Sequence, residues 1–507
     1  MNLIDKTIGL FSPMRGLRRL QARNAIDVLK TVRERRSYDG ARAPRRGNVW
    51  GRGKSANGAM ASAMVSLRDH ARDLVRNTPM ARVPDVLSAH IVGTGIIPVS
   101  RTGNRKLDKQ VNALFDQWSE QCLVSGELDF YGAQNLVLRS VVEGGDTFIR
   151  FLLRDSQSKL AVPLQLRLLE GDQIDETKHG TSSRGENHSA TLGVEFDGDG
   201  ARTGYWVRKV HPGEPHSFRN VESVFVAAQD MAHVYRPLRI GQARGVTWFA
   251  PVLLTARDLA DYLEASLVKA RTEACFAGFV KSNDPGMPAN IASAASADKE
   301  KAEGARQKEL ELSPGMITRL EDGEDIVFAQ PSSSNSFEPF VLQASMSIAA
   351  GVGMTYDQLT GDLRQANYSS LRAGKIEFRG IVRQLQHRMM IRQFCKPVWK
   401  RFIEAAVLAG KLPQRVSGYP SSWIAPGFEP IDPLKDLKAD ILAVRSGRST
   451  WNEFVAEWGN DPQTQMDELQ QINKDFDERG LVLDIDPRKM SSAGLMQQTE
   501  QGKGSVK

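Results

Sequence analysis

The sequence predicts an α+β fold, mainly helical with one β-rich part, and three observations carry that expectation. Between residues 136 and 235, short apolar and β-branched runs alternate with Gly, Asp, Asn and His-Pro turns, the pattern of antiparallel strands. From Pro251 the chain continues to about Gly278 with no helix breaker, which at about 1.5 Å per residue makes a rod of roughly 40 Å. The last third reads as helices separated by Gly and Pro stops. A chain of 507 residues, 41% hydrophobic and 25% charged, has the length for about three domains and the apolar content for a sizeable core.

Residues 37–60 (SYDGARAPRRGNVWGRGKSANGAM) are rich in Gly, Arg and Ser and read as the flexible end of a basic arm, residues 1–60. A helical rhythm starts at Ser62 and runs to Leu74, and VPDVLSAHIVGTGIIPVS reads as a helix end with a strand and a Gly-rich turn. Lys106–Cys122 is amphipathic, with Val111, Leu114, Phe115 and Trp118 on one face. The β-rich part holds VLRSVVEGGDTFIRFLL, LQLRLLE, YWVRKV, SVFVAA and MAHVYR, whereas DETKHGTSSRGENHSA is polar enough to be a surface loop.

On the long helix, expected over 252–278, Leu259, Tyr262, Leu263 and Leu267 mark one side, while Ala260, Ala270 and Ala274 permit close approach of another helix. Residues 289–312 are helical in propensity, and MITRLEDGEDIVFAQP reads as a hairpin turning on Asp322–Gly323. Helices are then expected at Phe340–Gly351, at Tyr368–Phe394 and from Pro397 to Gly410. Leu434–Ser446 is next, then a helix from a Thr450/Glu453 capping box to Gly459. From about Met490 the chain is Ser-, Gly- and Gln-rich and is expected to fray.

Composition excludes several classes. No stretch approaches the roughly 18 apolar residues of a membrane span, and the N-terminus lacks the continuous apolar core of a secretory signal. Cys122, Cys275 and Cys395 are scattered without a CxxC, which fits synthesis in a reducing cytoplasm and indicates neither a disulfide framework nor a zinc site. The net charge of +7 is asymmetric. Residues 1–82 carry 18 Lys and Arg against 6 Asp and Glu, an excess of 12 positive charges, so the remaining 425 residues are net negative by 5. A basic arm on a mildly acidic body suits contact with a polyanion, or is simply a solvated tail.

Motifs for catalysis, cofactors and metals fail one by one. Gly47-Asn-Val-Trp-Gly-Arg-Gly53-Lys54-Ser55 puts five residues between its outer glycines where a phosphate loop needs four, and no apolar strand precedes it. Gly351-Val-Gly353 has Tyr356 where a dinucleotide fingerprint needs its third glycine, and Asp197-Gly-Asp199-Gly offers Arg208 where a calcium loop needs a bidentate Glu. His211 and His216 flank a Pro-Gly turn, and HExxH and GxSxG are absent. The acid pairs Asp258/Asp261 and Glu321/Asp322/Glu324/Asp325 read as solvated faces. No catalytic, cofactor-binding or metal site is expected.

One positive feature remains. After Tyr368, Arg372, Lys375, Arg379, Arg383 and His387 recur at three- and four-residue spacing, opposite an apolar stripe of Leu371, Phe378, Val382, Leu385 and Met389. Like charges so spaced repel by a few tenths of a kcal/mol per pair. DNA phosphate or acidic side chains of a neighbouring subunit would offset that repulsion, and a merely solvated face is the third possibility. No aromatic residue interleaves, which disfavours stacking with a single strand and leaves backbone contact with a duplex.

Four segments, taken together, resemble the lambda-type family of tailed-bacteriophage portal proteins. They are HVYRPLRIGQARGVTWFAPVLLTARDLADYLEASLVKARTEACFAGF (233–279), LSPGMITRLEDGEDIVFAQP (312–331), FEPFVLQASMSIAAGVGMTYDQLTGDLRQANYSSLRAGKIEFRG (337–380) and W-x-x-P-x-x-x-x-I-D-P-x-K-D (423–436). The resemblance covers roughly residues 60–480. It implies a ring, usually of twelve copies, at a capsid vertex, through which double-stranded DNA passes without base specificity. It implies as partners a terminase large subunit, the major capsid or scaffold protein and a head-tail adaptor, with no membrane, no cofactor and no catalysis.

By the same analogy residues 61–250 are a wing region with its β-rich part at 136–235, and 251–338 are stem and clip. Tyr262, Leu263, Leu267, Lys269 and Arg271 lie on the implied stem helix. Residues 339–430 supply channel-proximal and wing helices, 431–489 a helical crown, and 490–507 a flexible tail. A DNA-processing nuclease or translocase would need a carboxylate cluster or nucleotide loop, and a capsid or scaffold protein would lack the channel.

Overall fold

In the computed structural model the described residues are 54–155, 158–181, 185, 187–215, 222–275, 279–282, 324–327, 337–364 and 367–481. Of the two units into which the chain divides, residues 1–55 and 56–507, the described residues fall almost wholly in the second. The basic arm before residue 54, the segment 289–312 and the tail 490–507 lie outside the described residues.

Helices α1 (Met64–Asn77) and α2 (Arg82–Ile91) lead to strand β1 (Ile97–Ser100), then to α3 (Arg105–Ser119) and α4 (Phe130–Gly144). The expectation of β-structure from residue 136 is corrected here: Leu136–Gly144 is the second half of α4. Asp129 caps the helix by accepting the Gly132 N–H at 2.7 Å, and Gly145 ends it at φ +94°. Val137, Leu138, Val141 and Val142 recur with the helical period, and all are buried. The β-branching of the three valines favours a strand weakly, and packing on one face outweighs it.

The antiparallel expectation holds from Asp146 onward. Strands β2 (Asp146–Leu153) and β3 (Leu164–Glu170) join β9 (Met231–Tyr235) in the order β3-β2-β9. A second sheet orders β4 (Gly180–Thr181), β5 (Ser189–Thr191), β6 (Val194–Phe196), β7 (Arg202–Arg208) and β8 (Ser223–Ala227) consecutively. The first sheet is covered on both faces. Ile149, Phe151, Ala232 and Val234 point into the helical core, while Phe148, Leu169 and Met231 pack with Val194, Tyr205 and Val226 of the second sheet. That double burial explains why β2 reads as a nearly continuous apolar run rather than an alternation.

Helix α5 (Leu253–Cys275) is followed by β10 (Phe279–Ser282), which pairs antiparallel with β11 (Glu324–Val327). The expected hairpin on Asp322–Gly323 falls partly outside the described residues. Its second arm pairs with residues 279–282, and its first arm lies outside the described residues. Helix α6 (Phe337–Val352) then returns beside α5.

The expected break before Pro397 is absent. Helix α7 (Tyr368–Leu385) runs through a π-helical stretch, Gln386–Cys395, into α8 (Lys396–Leu408). Pro397 sits just past the π stretch, in the first turn of α8, the helical position that tolerates proline best. Side chains of the π stretch tie neighbours together. Gln386 Nε2 donates to the Ile91 carbonyl at 3.1 Å, and Gln393 Oε1 accepts the Tyr235 N–H at 2.9 Å.

The core sits where α3, α4, the π stretch and α8 meet. Phe115 lies edge-on to Phe130 and Phe402, Phe130 stacks on Phe394 at 5.4 Å, and the Trp118 indole N–H donates to the Leu164 carbonyl at 2.8 Å. Strand β12 (Ser421–Ile424) pairs with β1, closing the body. Helices α9 (Pro433–Arg445), α10 (Trp451–Glu457) and α11 (Pro462–Arg479) come last, with the expected Thr450/Glu453 capping box in place. No described helix is long and apolar enough to cross a membrane.

Candidate functional site

Helix α5 divides into two halves. Its base is buried through Leu253, Ala256 and Leu259, but Leu254 is 81% exposed, Leu263 37% and Leu267 52%. Lys269 and Arg271 are also exposed. Tyr262 is the half-buried exception: its ring lies 5.7 Å from Phe337 and 4.5 Å from Phe340. The aromatic trio pins the outgoing α5 to the returning α6. Beyond it, α5 presents apolar side chains on a stiff rod of about 35 Å.

The basic stripe on α7 faces the C-terminal part of its own chain. Arg372 donates to the Tyr368 hydroxyl and to Asp436 Oδ1, both at 3.1 Å. Arg379 donates to the Glu429 carbonyl and lies 5.2 Å from the Phe428 ring centre. Arg383 lies 5.4 Å from the same ring and 3.5 Å from Glu457. Lys375 and His387 are exposed. The apolar side is as expected: Phe378, Val382, Leu385 and Met389 are buried, and Leu371 is half-buried. So three of the four arginine and lysine side chains meet carbonyl, carboxylate or aromatic groups within the chain. The aromatic partner, Phe428, comes from a different segment, which spacing along α7 could not reveal.

Sequence reasoning missed a buried charge network where the two sheets, α1 and the loop before α5 meet. Arg244 and Asp146 are both fully buried. Arg244 Nε and Nη2 reach the two Asp146 oxygens at 2.5 and 3.1 Å, and its remaining donors meet the carbonyls of Leu192 at 3.0 Å and Gly171 at 2.7 Å. Arg68 donates to the Gly144 carbonyl at 3.1 Å and to Asp172 at 2.9 Å. His233 lies between Asp146 Oδ2, 3.3 Å from its Nε2, and Arg202, 3.1 Å from its Nδ1. A guanidinium can only donate, so Nδ1 accepts and Nε2 carries the proton.

Burial acts first on all of these groups. It pushes the His233 ring down to about 4 against the pull of Asp146. It raises the carboxylates, but Arg244 and His233 more than offset this at Asp146, and Arg68 and Arg72 bring Asp172 to about 2. The backbone closes around the same point: a Cβ on Gly145 would lie 2.6 Å from the Val246 carbonyl carbon. The legible signal was the R-x-G-Q-x-R-G run, Arg239 to Gly245. Gln242 Oε1 accepts the Leu238 N–H and its Nε2 donates to the Arg244 carbonyl, which sets the loop that aims Arg244 inward.

Among the described residues, Glu170, Asp172 and His211 form the group in which three potential metal ligands converge. Arg72 reaches both carboxylates and Arg68 reaches Asp172, so guanidinium groups already match the acids. Tertiary folding, not a shared helix face, brings His211 there.

A family model described as phage portal protein, lambda family, matches residues 43–386. The chain belongs to that family. A probable portal protein of Halomonas phage phiHAP-1 is 26% identical over 462 residues, covering 87% of this chain and 86% of that protein. Portal protein B of Escherichia phage lambda is 22% identical over 539 residues, covering 94% and 97%. Among solved structures, a chain from the neck of a native gene transfer agent particle computed with C12 symmetry aligns over 79% of this chain and 94% of its own, with 16% identity and a TM-score of 0.41. The portal family match takes in both the α5–α6 pair and the buried network, and it ends at the first residue of the π stretch.

Proposed function

We propose that this chain is one copy of a closed ring, of twelve copies, that surrounds double-stranded DNA at a phage capsid vertex. The observation that carries the reading, beyond family membership, is the outer half of α5. There Leu263 and Leu267 are exposed beyond the point where Tyr262 packs on Phe337 and Phe340. A ring covers such a face repeatedly, because each copy presents the same rod to its neighbour. In this reading 251–338 is stem and clip, 61–250 and 339–430 form the wing and channel-proximal part, and 431–489 the crown.

A conduit has no use for base readout, a cofactor or a catalytic group, and its partners are protein surfaces: a terminase large subunit, capsid or scaffold protein, and a head-tail adaptor. Its place is the virion, after synthesis in the host cytoplasm. On the α7 stripe, Lys375 is exposed and open to contact with DNA or a neighbouring subunit, whereas Arg372, Arg379 and Arg383 have partners in the chain.

Negative-stain images and mass measurement of the purified protein test this. Rings with a central hole are expected, and Leu267→Asp should shift them toward single copies. Closed shells or monomers at micromolar concentration would overturn the ring. Cleavage of plasmid or turnover of ATP in the presence of Mg²⁺ would overturn the non-enzymatic reading.

A further inference from the structure

We infer that the C-terminal helical unit, residues 433–481, is held on the body by a charge latch rather than by apolar packing, and that it releases as ionic strength rises. Of its residues only Val455 and Pro462 are buried, and α9 buries none. Leu434, Leu437 and Leu442 are all exposed. By contrast, the ion pairs between unit and body run in one sense on two sides. On the α7 side, Arg372 meets Asp436 at 3.1 Å and Arg383 meets Glu457 at 3.5 Å. On the α3 side, Arg101 meets Asp461 at 3.1 Å, Lys109 meets Asp467 at 2.8 Å, and Arg105 also reaches Asp467.

Every cation in these pairs belongs to the body and every anion to the unit, which carries ten Asp and Glu against six Lys and Arg. The connection is a strap, residues 425–432, with Pro426, Gly427 and Pro430. Between unit and body lies a cavity of about 690 Å³ lined by Arg383, His387, Phe428, Asp440, Arg448 and Glu453 among others. An apolar seam would have closed that space. Partly exposed pairs are individually weak and lose most of their strength once the Debye length falls from about 10 Å at 0.1 M toward 3 Å at 1 M salt. A unit attached through them opens locally while the apolar body stays closed.

Hydrogen exchange of the full-length assembled protein at 0.05 and 0.5 M NaCl reads the latch directly. Exchange in 462–479 is expected to rise about tenfold with salt, while 378–408 stays unchanged. Asp461→Asn combined with Asp467→Asn should give the fast exchange already at low salt. Asn still caps α11, so the helix itself is spared. Arg383→Glu and Glu457→Arg should each loosen the unit, and the two together should restore protection. Salt-independent exchange in 462–479, unchanged exchange in the neutralised variant, or failure of the swapped pair to restore protection would each overturn the latch.

Discussion

Removing the Arg244 side chain (Arg244→Ala) leaves the fully buried Asp146 carboxylate with His233, the Gly245 N–H at 3.0 Å and the more distant Arg68, whose Nη2 is 3.6 Å away. Taking one partner from a buried ion pair costs about 3–5 kcal/mol. With Arg68, His233 and the Gly245 N–H still in place, the lower end, about 3 kcal/mol, applies. The carbonyls of Gly171 and Leu192 also lose their donor, at about 1 kcal/mol each, giving about 5 kcal/mol in total. Arg244→Lys keeps the charge but not the fork that serves four acceptors at once, and should fall at about half that.

Urea unfolding followed by tryptophan fluorescence measures both. Asp146→Ala with Arg244→Ala should cost at least about 1 kcal/mol less than the sum of the single losses, because neither charge is then left alone. A loss under about 1 kcal/mol for Arg244→Ala, or strict additivity in the double variant, would show that the network is not what joins the two sheets to α1.

Two other tests bear on the same region. His233 is held neutral with its pKa near 4, below the ordinary 6.5, so below pH 6.5 the unfolded chain takes up a proton that the folded chain refuses. Stability should therefore fall by about 1.4 kcal/mol per pH unit from this group between roughly pH 6 and 4, and His233→Gln should flatten that slope; parallel pH profiles would contradict the burial argument. Gly145→Ala meets both a φ of +94° and the Val246 backbone and should cost at least about 3 kcal/mol, whereas Gly126→Ala, at φ +70° with open space around it, should cost about 1. Equal denaturation midpoints for the two variants would mean that the close backbone approach carries no weight.

Local rules were enough where one segment answers to itself. The Thr450/Glu453 capping box, the apolar faces of α3 and α7, and the uninterrupted run of α5 all stand in the structure as their residue patterns predict. They failed where burial came from elsewhere. Leu136–Gly144 reads as a strand by its β-branched valines, yet these share one buried helix face, and Pro397 reads as a boundary because a π-helical approach to it has no local signature. The α7 stripe was visible as a stripe, but its partners, Phe428, Glu429, Asp436 and Glu457, lie 45 or more residues away.

The sequence by itself determined the α+β class, the long α5 rod and the family, because hydrophobic period, capping residues and ordered motif segments are all properties of contiguous chain. Only the tertiary structure decided that Asp146, Arg244, Arg68 and His233 meet in one buried cluster, and that the arginines of α7 face carboxylate, carbonyl and aromatic groups of the chain's own C-terminal part. Electrostatic partners are chosen by distance in space and by how much water is excluded between them, and neither is written in the spacing of residues along the chain.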